Sequence, residues 1–176
     1  MRFIGLRHGQ STYNIRQLCN SDPSVDVQLT DLGVQQAKSA ADQLKSFSLT
    51  EIYCSPIPRT RRTTEIVNQE LELAVTIEPR LIDIHTGFEG RPVQEYFDAI
   101  AHDPVHAKVN GGESIHEQYQ RVCSFLDELK AKGVEDVLLV AHEETMRVFK
   151  AWAEGLPPEK VIGVPFENCR PYVFGG

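Results

Sequence analysis

Met1-Arg2-Phe3-Ile4-Gly5-Leu6-Arg7-His8-Gly9-Gln10-Ser11-Thr12 opens the chain. Its short apolar lead-in, punctuated by glycine, reads as a buried first strand that delivers Arg7 and His8 at its exit. A guanidinium, an imidazole, a glycine, and amide and hydroxyl donors then follow without a spacer. In an open parallel α/β sheet, ligands bind just beyond the carboxyl ends of the strands. Glycine lets backbone approach a ligand closely. Arginine offers a planar fork to phosphate. A neutral histidine can attack an electrophilic centre and form a covalent intermediate. The grouping points to His8 as a nucleophile toward a phosphoryl group. Arg-His-Gly alone also suits an ordinary solvated strand end, so the remaining chain has to carry the weight.

That chain alternates strands with helices. A loop from Arg16 to Gln28, rich in Asn, Asp, Ser and Pro, leads to Thr30, a suitable N-cap, and Asp31 suits a first helical turn. Leu32, Gln36, Ala40 and Leu44 mark one helical face. Ile52-Tyr53-Cys54 reads as a short strand ending at Ser55-Pro56. A helix follows over Arg59–Val67, with Pro58 near its first turn. Val75-Thr76-Ile77 is a third strand. Pro92–Ala101 and Glu113–Lys132 read as helices, the second striped by Ile115, Tyr119, Val122, Phe125, Leu126 and Leu129. Asp136–Ala141 is the strongest strand and stops at His142. Glu143–Glu154 is helical, and Tyr172-Val173-Phe174 is a last strand at the sheet's edge. This order predicts an α/β fold, a three-layer sandwich whose central, mostly parallel sheet carries helices on both faces. The irregular stretch from Asp83 to Gly112 fits either a substrate-facing lid or a long connection.

At 176 residues, the chain is expected to form a single domain over 1–176. Its net charge of −7 argues against nucleic acid or an anionic membrane surface as a general partner. Cys19, Cys54, Cys123 and Cys169 are widely spaced, as expected of reduced thiols in a cytoplasmic protein. The N-terminus lacks the apolar core and cleavage site of a signal peptide, and no apolar run is long enough to span a membrane.

Three strand exits carry suggestive groups: Arg7 and His8, then Ser55-Pro56 with Arg59, then His142. Parallel strands bring those exits to one edge. Two arginines and two histidines around a small anion form a chemical unit: arginines for phosphoryl oxygens, one histidine for attack, the other for a hydrogen bond. A nearby carboxylic acid is then needed to protonate the leaving alkoxide.

Arg7-His8-Gly9 after the first strand, with Asn14, resembles the signature of the histidine phosphatase superfamily, which includes the cofactor-dependent phosphoglycerate mutases. The similarity continues in order through Leu29-Thr30-x-x-Gly33-x-x-Gln36-Ala37, Ser55-Pro56-x-x-Arg59-x-x-x-Thr63 and Gly111-Gly112-Glu113-Ser114. Val140-Ala141-His142 with Arg147, and Asn168-Cys169, complete it. The resemblance implies a phosphoglycerate mutase-like sandwich and phosphoryl transfer through a phosphohistidine. It makes His8 the nucleophile, has Arg7, Arg59 and His142 bind the phosphoryl group, and places Asn14 close by. No metal and no cofactor are implied.

Two departures stand out. The family's acid segment usually runs Leu-x-Glu. Here Leu81-Ile82-Asp83 shortens the acid by one methylene, and Glu89-Gly90 arrives one residue early. Asp83 is the leading proton donor, with a turn or surface carboxylate as the alternative. The second departure is Glu143-Glu144, where the mutase-like branch usually has glycine. Two carboxylates beside a phosphate dianion weaken its binding unless one is protonated or turned away. Acids also suit a helix's first turn, worth ~0.3–1 kcal/mol each. The first-turn reading is preferred for Glu144. Glu143 is an alternative donor, much as the acid phosphatase and phytase branch has an acid directly after its second histidine.

Other residues carry less. Asp103-Pro104 argues against a regular helix joining His102 and His106, which are expected at the surface. His142-Glu143 begins like a zinc-protease motif, but Met146 replaces its second ligand. His85 is a candidate for the pocket wall, or for a structural role. Arg61 and Arg62 either extend the cationic site or face solvent. The expected activity is phosphomonoester hydrolysis on a small phosphorylated metabolite. Transfer by a mutase ranks second, because this short chain has little room for the usual insertions. A weakly active member that binds a phosphorylated ligand or a protein partner is the third reading. Substrate identity and homo-oligomerisation stay open at this level.

Overall fold

The computed structural model describes residues 1–175. Strand β1, Phe3–Arg7, pairs in parallel with β4, Val137–Ala141, and antiparallel with β5, Pro171–Phe174. Strand β2, Glu51–Cys54, lies on the other side of β4 and is followed by β3, Ala74–Ile77. The sheet order is β3-β2-β4-β1-β5. The last strand is thus an edge strand, as expected, and it alone runs antiparallel.

Side-chain alternation builds the layers. Phe3, Val137, Leu139 and Ala141 turn to one face, where they meet Val122, Phe125 and Leu126 of α5 (Ile115–Ala131) and Met146 and Phe149 of α6 (Glu143–Glu154). Ile4, Leu6, Leu138 and Val140 turn to the other. There they meet Ala37, Ala40 and Leu44 of α2 (Asp31–Leu44) and Ile66 and Val67 of α3 (Pro58–Leu71). Both central strands are buried on both faces, which explains their nearly continuous apolar sequence. Fully burying one such side chain contributes roughly 1.5–3 kcal/mol.

Helix starts follow their local chemistry. Thr30 accepts a hydrogen bond from the Gly33 amide at 3.0 Å and caps α2. Pro58 occupies the first turn of α3, where its missing N–H costs nothing. A short helix, α1 (Thr12–Arg16), interrupts what the sequence suggested was strand exit and loop. Ser11 and Asn14 form a reciprocal capping box there, a purely local polar signal with no apolar period behind it.

The stretch 83–112 is a packed connection rather than a free lid. It contains α4, Val93–Ile100. Ile84, Phe88, Tyr96 and Ile100 form a small apolar cluster with Cys19 and Ile115. The loop after β1 sits directly on the start of α2. A methyl added at Gly33 would lie 2.1 Å from the Gln10 carbonyl oxygen, and one at Gly9 would lie 2.5 Å from that of Gly33. All four cysteines are free thiols. No helix among the described residues is long and apolar enough to cross a membrane.

Candidate active site

The carboxyl ends of β1, β2 and β4 open into a cavity of about 390 Å³. Its wall includes Arg7, His8, Asn14, Asn20, Arg59, Asp83, Glu143, Glu144 and Arg147. That volume suits a small molecule.

His8 is buried and leaves β1 with its amide donating to the Ala141 carbonyl at 3.0 Å. Its ring orientation is determined by an acceptor that cannot donate: Nδ1 lies 2.7 Å from the Gly9 carbonyl oxygen, so Nδ1 carries the proton. The lone pair is therefore on Nε2, where Arg59 Nε donates at 3.0 Å. Burial, then the cations Arg59 and Arg7, push the His8 pKa well below its ordinary 6.5. The imidazole is neutral at pH 7, the state a nucleophile requires.

Arg59 ties the site together. It enters at the first turn of α3 and is almost wholly buried. Besides His8, it bonds the Asn20 side chain and carbonyl, Asp83 Oδ2 at 3.0 Å and His142 Nδ1 at 3.1 Å. A guanidinium has only donors, so His142 Nδ1 must accept. His142 Nε2–H then donates to Ser55 Oγ at 2.8 Å. His142 is fully buried beside Arg59, with its ring centroid 5.4 Å from that of His8. Its reach toward the cavity runs through the shared guanidinium, not across open wall.

Asp83 follows a single 3₁₀ turn, Pro79–Leu81, which drops the chain from β3 to the cavity floor. Its Oδ1 accepts the Ile84 amide at 3.0 Å. Burial pushes its pKa above 3.8 against the pull of Arg59, favouring the protonated acid.

Asn14 lines the cavity as well, with its side-chain oxygen committed to the Ser11 amide at 2.9 Å. Its amide N–H₂ is the part left to meet an anion. His85 does not join the wall. It is exposed and lies 3.0 Å from Ser21 Oγ. His102 and His106 are exposed, Arg61 is exposed, and Arg62 pairs with Glu65. No group of three or more His, Cys, Asp or Glu among the described residues is placed to hold a metal ion.

Asn20 is the residue sequence reading passed over. It sits in the polar loop before α2, and its own side-chain N–H₂ donates to Glu89 at 2.7 Å. Glu89 also accepts the Ser21 amide at 2.8 Å, pinning the loop over Arg59. The only available clue was that five buried arginine donors require more acceptors than the recognised residues supply.

The family model of the histidine phosphatase superfamily (branch 1) matches residues 3–175. The chain belongs to the histidine phosphatase superfamily. Among its relatives, phosphoserine phosphatase 1 of Hydrogenobacter thermophilus is 31% identical, covering 96% of this chain and 83% of the relative. A probable phosphoglycerate mutase, GpmB, of Erwinia tasmaniensis is 27% identical over 93% of this chain and 80% of its own length. The α-ribazole phosphatase of Shigella flexneri superposes with a TM-score of 0.87 at 25% identity, covering 98% of this chain and 89% of that one. A mycobacterial glucosyl-3-phosphoglycerate phosphatase in complex with VO3 gives 0.83 at 26% identity, covering 98% and 90%.

Within this histidine phosphatase the two carboxylates after the second histidine diverge in role. Glu143 Oε2 lies 3.2 Å from Arg7 Nη1, and its Oε1 accepts the Phe166 amide at 3.2 Å. Arg7 Nη1 in turn donates to the Phe166 carbonyl at 2.7 Å. Arg7 Nε is buried with no partner. Glu144 is bonded to Arg147 instead, and burial pushes its pKa upward against that arginine.

Proposed function

We propose that this protein is a phosphomonoester hydrolase acting on a small phosphorylated metabolite through a phosphohistidine. His8 Nε2 attacks phosphorus in line as the bond to the leaving oxygen breaks. Arg7 and Arg59 meet the phosphoryl oxygens with fixed donors that stabilise the charge spread over them. In that step Arg59 Nε–H passes from His8 to a phosphoryl oxygen. Asn14 adds its amide donors. His142, between Ser55 and Arg59, steadies the guanidinium and stands 3.6 Å from Asp83 Oδ2.

Asp83 gives its proton to the departing alkoxide. The resulting carboxylate then takes a proton from the water that attacks the phosphohistidine, which releases phosphate and restores His8. Glu143 serves as the anchor of Arg7 rather than as a donor, since both its oxygens are engaged by Arg7 and Phe166.

The observation that carries this reading is the His8 imidazole itself. It is neutral, lines the cavity with its Nε2 lone pair held by the Arg59 guanidinium, and shares that wall with a burial-raised carboxyl. The test is phosphate release from a panel of phosphomonoesters in EDTA. The parent should release phosphate unimpaired by the chelator. His8→Ala should fall below about a thousandth of the parent rate, because a lone nucleophile's loss removes the covalent route. Parental turnover by the variant, or chelator inhibition reversed by a divalent ion, sinks this mechanism.

A further inference from the structure

The wall of the cavity formed by α6 and α4 has spare hydrogen-bonding capacity. Arg147 is committed: Nε donates to the Val164 carbonyl at 2.9 Å, Nη1 bonds Glu144, and Nη2 lies 3.7 Å from Glu143 Oε1. Glu144 uses only Oε1 in that contact, and its Oε2 has no partner among the described residues. Tyr96 lines the same cavity, is only 3% exposed, and its buried phenol oxygen has no partner. Burial pushes that phenol's pKa upward. The Glu144 carboxylate, which lines the same cavity, adds to that push. A buried polar group left unpaired is costly, so a half-used carboxylate and an orphaned hydroxyl on one cavity wall are a place for a polar ligand whose donor meets the carboxylate.

The charges point the same way. Arg7, Arg59 and Arg147 line the cavity, and each already faces a carboxylate: Glu143, Asp83 and Glu144 respectively. With Asp83 protonated, three guanidiniums face two carboxylates, so a phosphate dianion still leaves the site with a net negative charge. A positive group on the substrate, near Glu144, relieves that excess, whereas a carboxylate there worsens it. Val93 and Phe97, on the same wall, supply apolar surface for a short carbon segment between phosphate and donor.

We propose that Glu144 and Tyr96 form a leaving-group subsite that selects phosphomonoesters whose alcohol carries an ammonium group, against those whose alcohol carries a carboxylate. This rests on the hydrolase reading above. Arg147 acts through Glu144, holding the carboxylate toward the cavity.

The experiment compares kcat/KM for phosphoethanolamine, 2-hydroxyethyl phosphate and 2-phosphoglycolate, two-carbon esters that differ at one end. p-Nitrophenyl phosphate is the reference and His8→Ala the blank. The expected order is ammonium, then hydroxyl, then carboxylate, with about tenfold or more between first and last, since one charge-assisted hydrogen bond is at stake. Glu144→Gln should collapse that ratio toward unity by losing the ammonium ester selectively. Tyr96→Phe should narrow the gap between the hydroxyl and carboxylate esters. Equal or better turnover of 2-phosphoglycolate by the parent overturns the subsite without any variant. So does a ratio that survives in a folded Glu144→Gln protein. So too does failure on all three esters while p-nitrophenyl phosphate is hydrolysed in a His8-dependent way. Failure on p-nitrophenyl phosphate as well counts against the hydrolase reading itself, and the subsite falls with it.

Discussion

Glu143 and Arg7 are fastened to one another and to the same peptide: the ion pair closes at 3.2 Å, Arg7 donates to the Phe166 carbonyl, and the Phe166 amide donates to Glu143. The ring of contacts fixes a guanidinium whose Nε is buried and free. Glutamine at position 143 keeps one acceptor but turns an N–H₂ toward either Arg7 or the Phe166 amide, a donor against a donor. Glu143→Gln should therefore lower kcat/KM by about 10–100-fold through a loosened Arg7, as small misplacements of a binding group do. The loss should be the same for alkyl and nitrophenyl esters. Steady-state kinetics on both classes checks this, and a loss confined to poor leaving groups would restore Glu143 as the proton donor.

Asp83 should behave in the opposite way. Asp83→Asn keeps the side-chain shape and its contact with Arg59 while removing the transferable proton. Turnover of alkyl phosphates should fall by about 10²–10⁴-fold, the usual contribution of a general acid. Turnover of p-nitrophenyl phosphate should fall far less, because its leaving group departs without a proton. A plot of log kcat against leaving-group pKa should steepen in the variant. An unchanged slope removes Asp83 from the role.

Protonation of the same groups sets the pH profile. His8 must be neutral, and its pKa lies well below 6.5 because of burial and then Arg59 and Arg7. The acid limb of kcat/KM is therefore displaced below pH 6.5. Asp83 must be protonated, and burial raises its pKa above 3.8, so the alkaline limb begins above that value. The profile should be a bell, and Asp83→Asn should flatten its alkaline limb. Stability carries the histidine signature too. Unfolded His8 and His142 bind protons below 6.5 that the folded protein refuses, so stability present above pH 6.5 declines as pH falls below it. Denaturant midpoints measured across that range should fall on acidification.

The long-range plan was legible because it rests on signals that act over whole segments. Apolar runs at Phe3–Leu6 and Val137–Ala141 dictated buried parallel strands, and parallel strands necessarily bring Arg7, Arg59 and His142 to one edge. What stayed hidden was pairing between side chains distant in sequence. Asn20 lies in a loop with no period, and its place over Arg59 depends on Glu89, 69 residues away. The sequence offers a first-turn acid at 144 and an alternative donor at 143 but not their partners, which depend on successive helical residues pointing about 100° apart. One turns to Arg7 and the other to Arg147. The capping box of α1 was readable in principle, but five residues without an apolar stripe give no periodicity to detect.

The loop that presents His8 depends on a close backbone approach, which gives a prediction remote from the chemistry. Gly33 lies in the first turn of α2, and a methyl group there would stand 2.1 Å from the Gln10 carbonyl oxygen and 2.9 Å from its nitrogen. Those are backbone atoms, not a flexible side-chain end, so neither α2 nor the loop can yield locally. Gln10 is also held by hydrogen bonds from Thr30 to its carbonyl, at 2.9 Å from the amide and 3.3 Å from the hydroxyl. Gly33→Ala should destabilise the fold by about 1–3 kcal/mol, the usual cost of overpacking. Because the displaced segment adjoins Gly9, whose amide donates to Thr63 Oγ1 at 3.0 Å, the His8 ring should shift with it. The variant should therefore lose kcat/KM at temperatures where circular dichroism still reports it fully folded. Loss of stability with undiminished activity in the folded protein would mean that α2 recoils alone and the loop that carries the nucleophile does not follow.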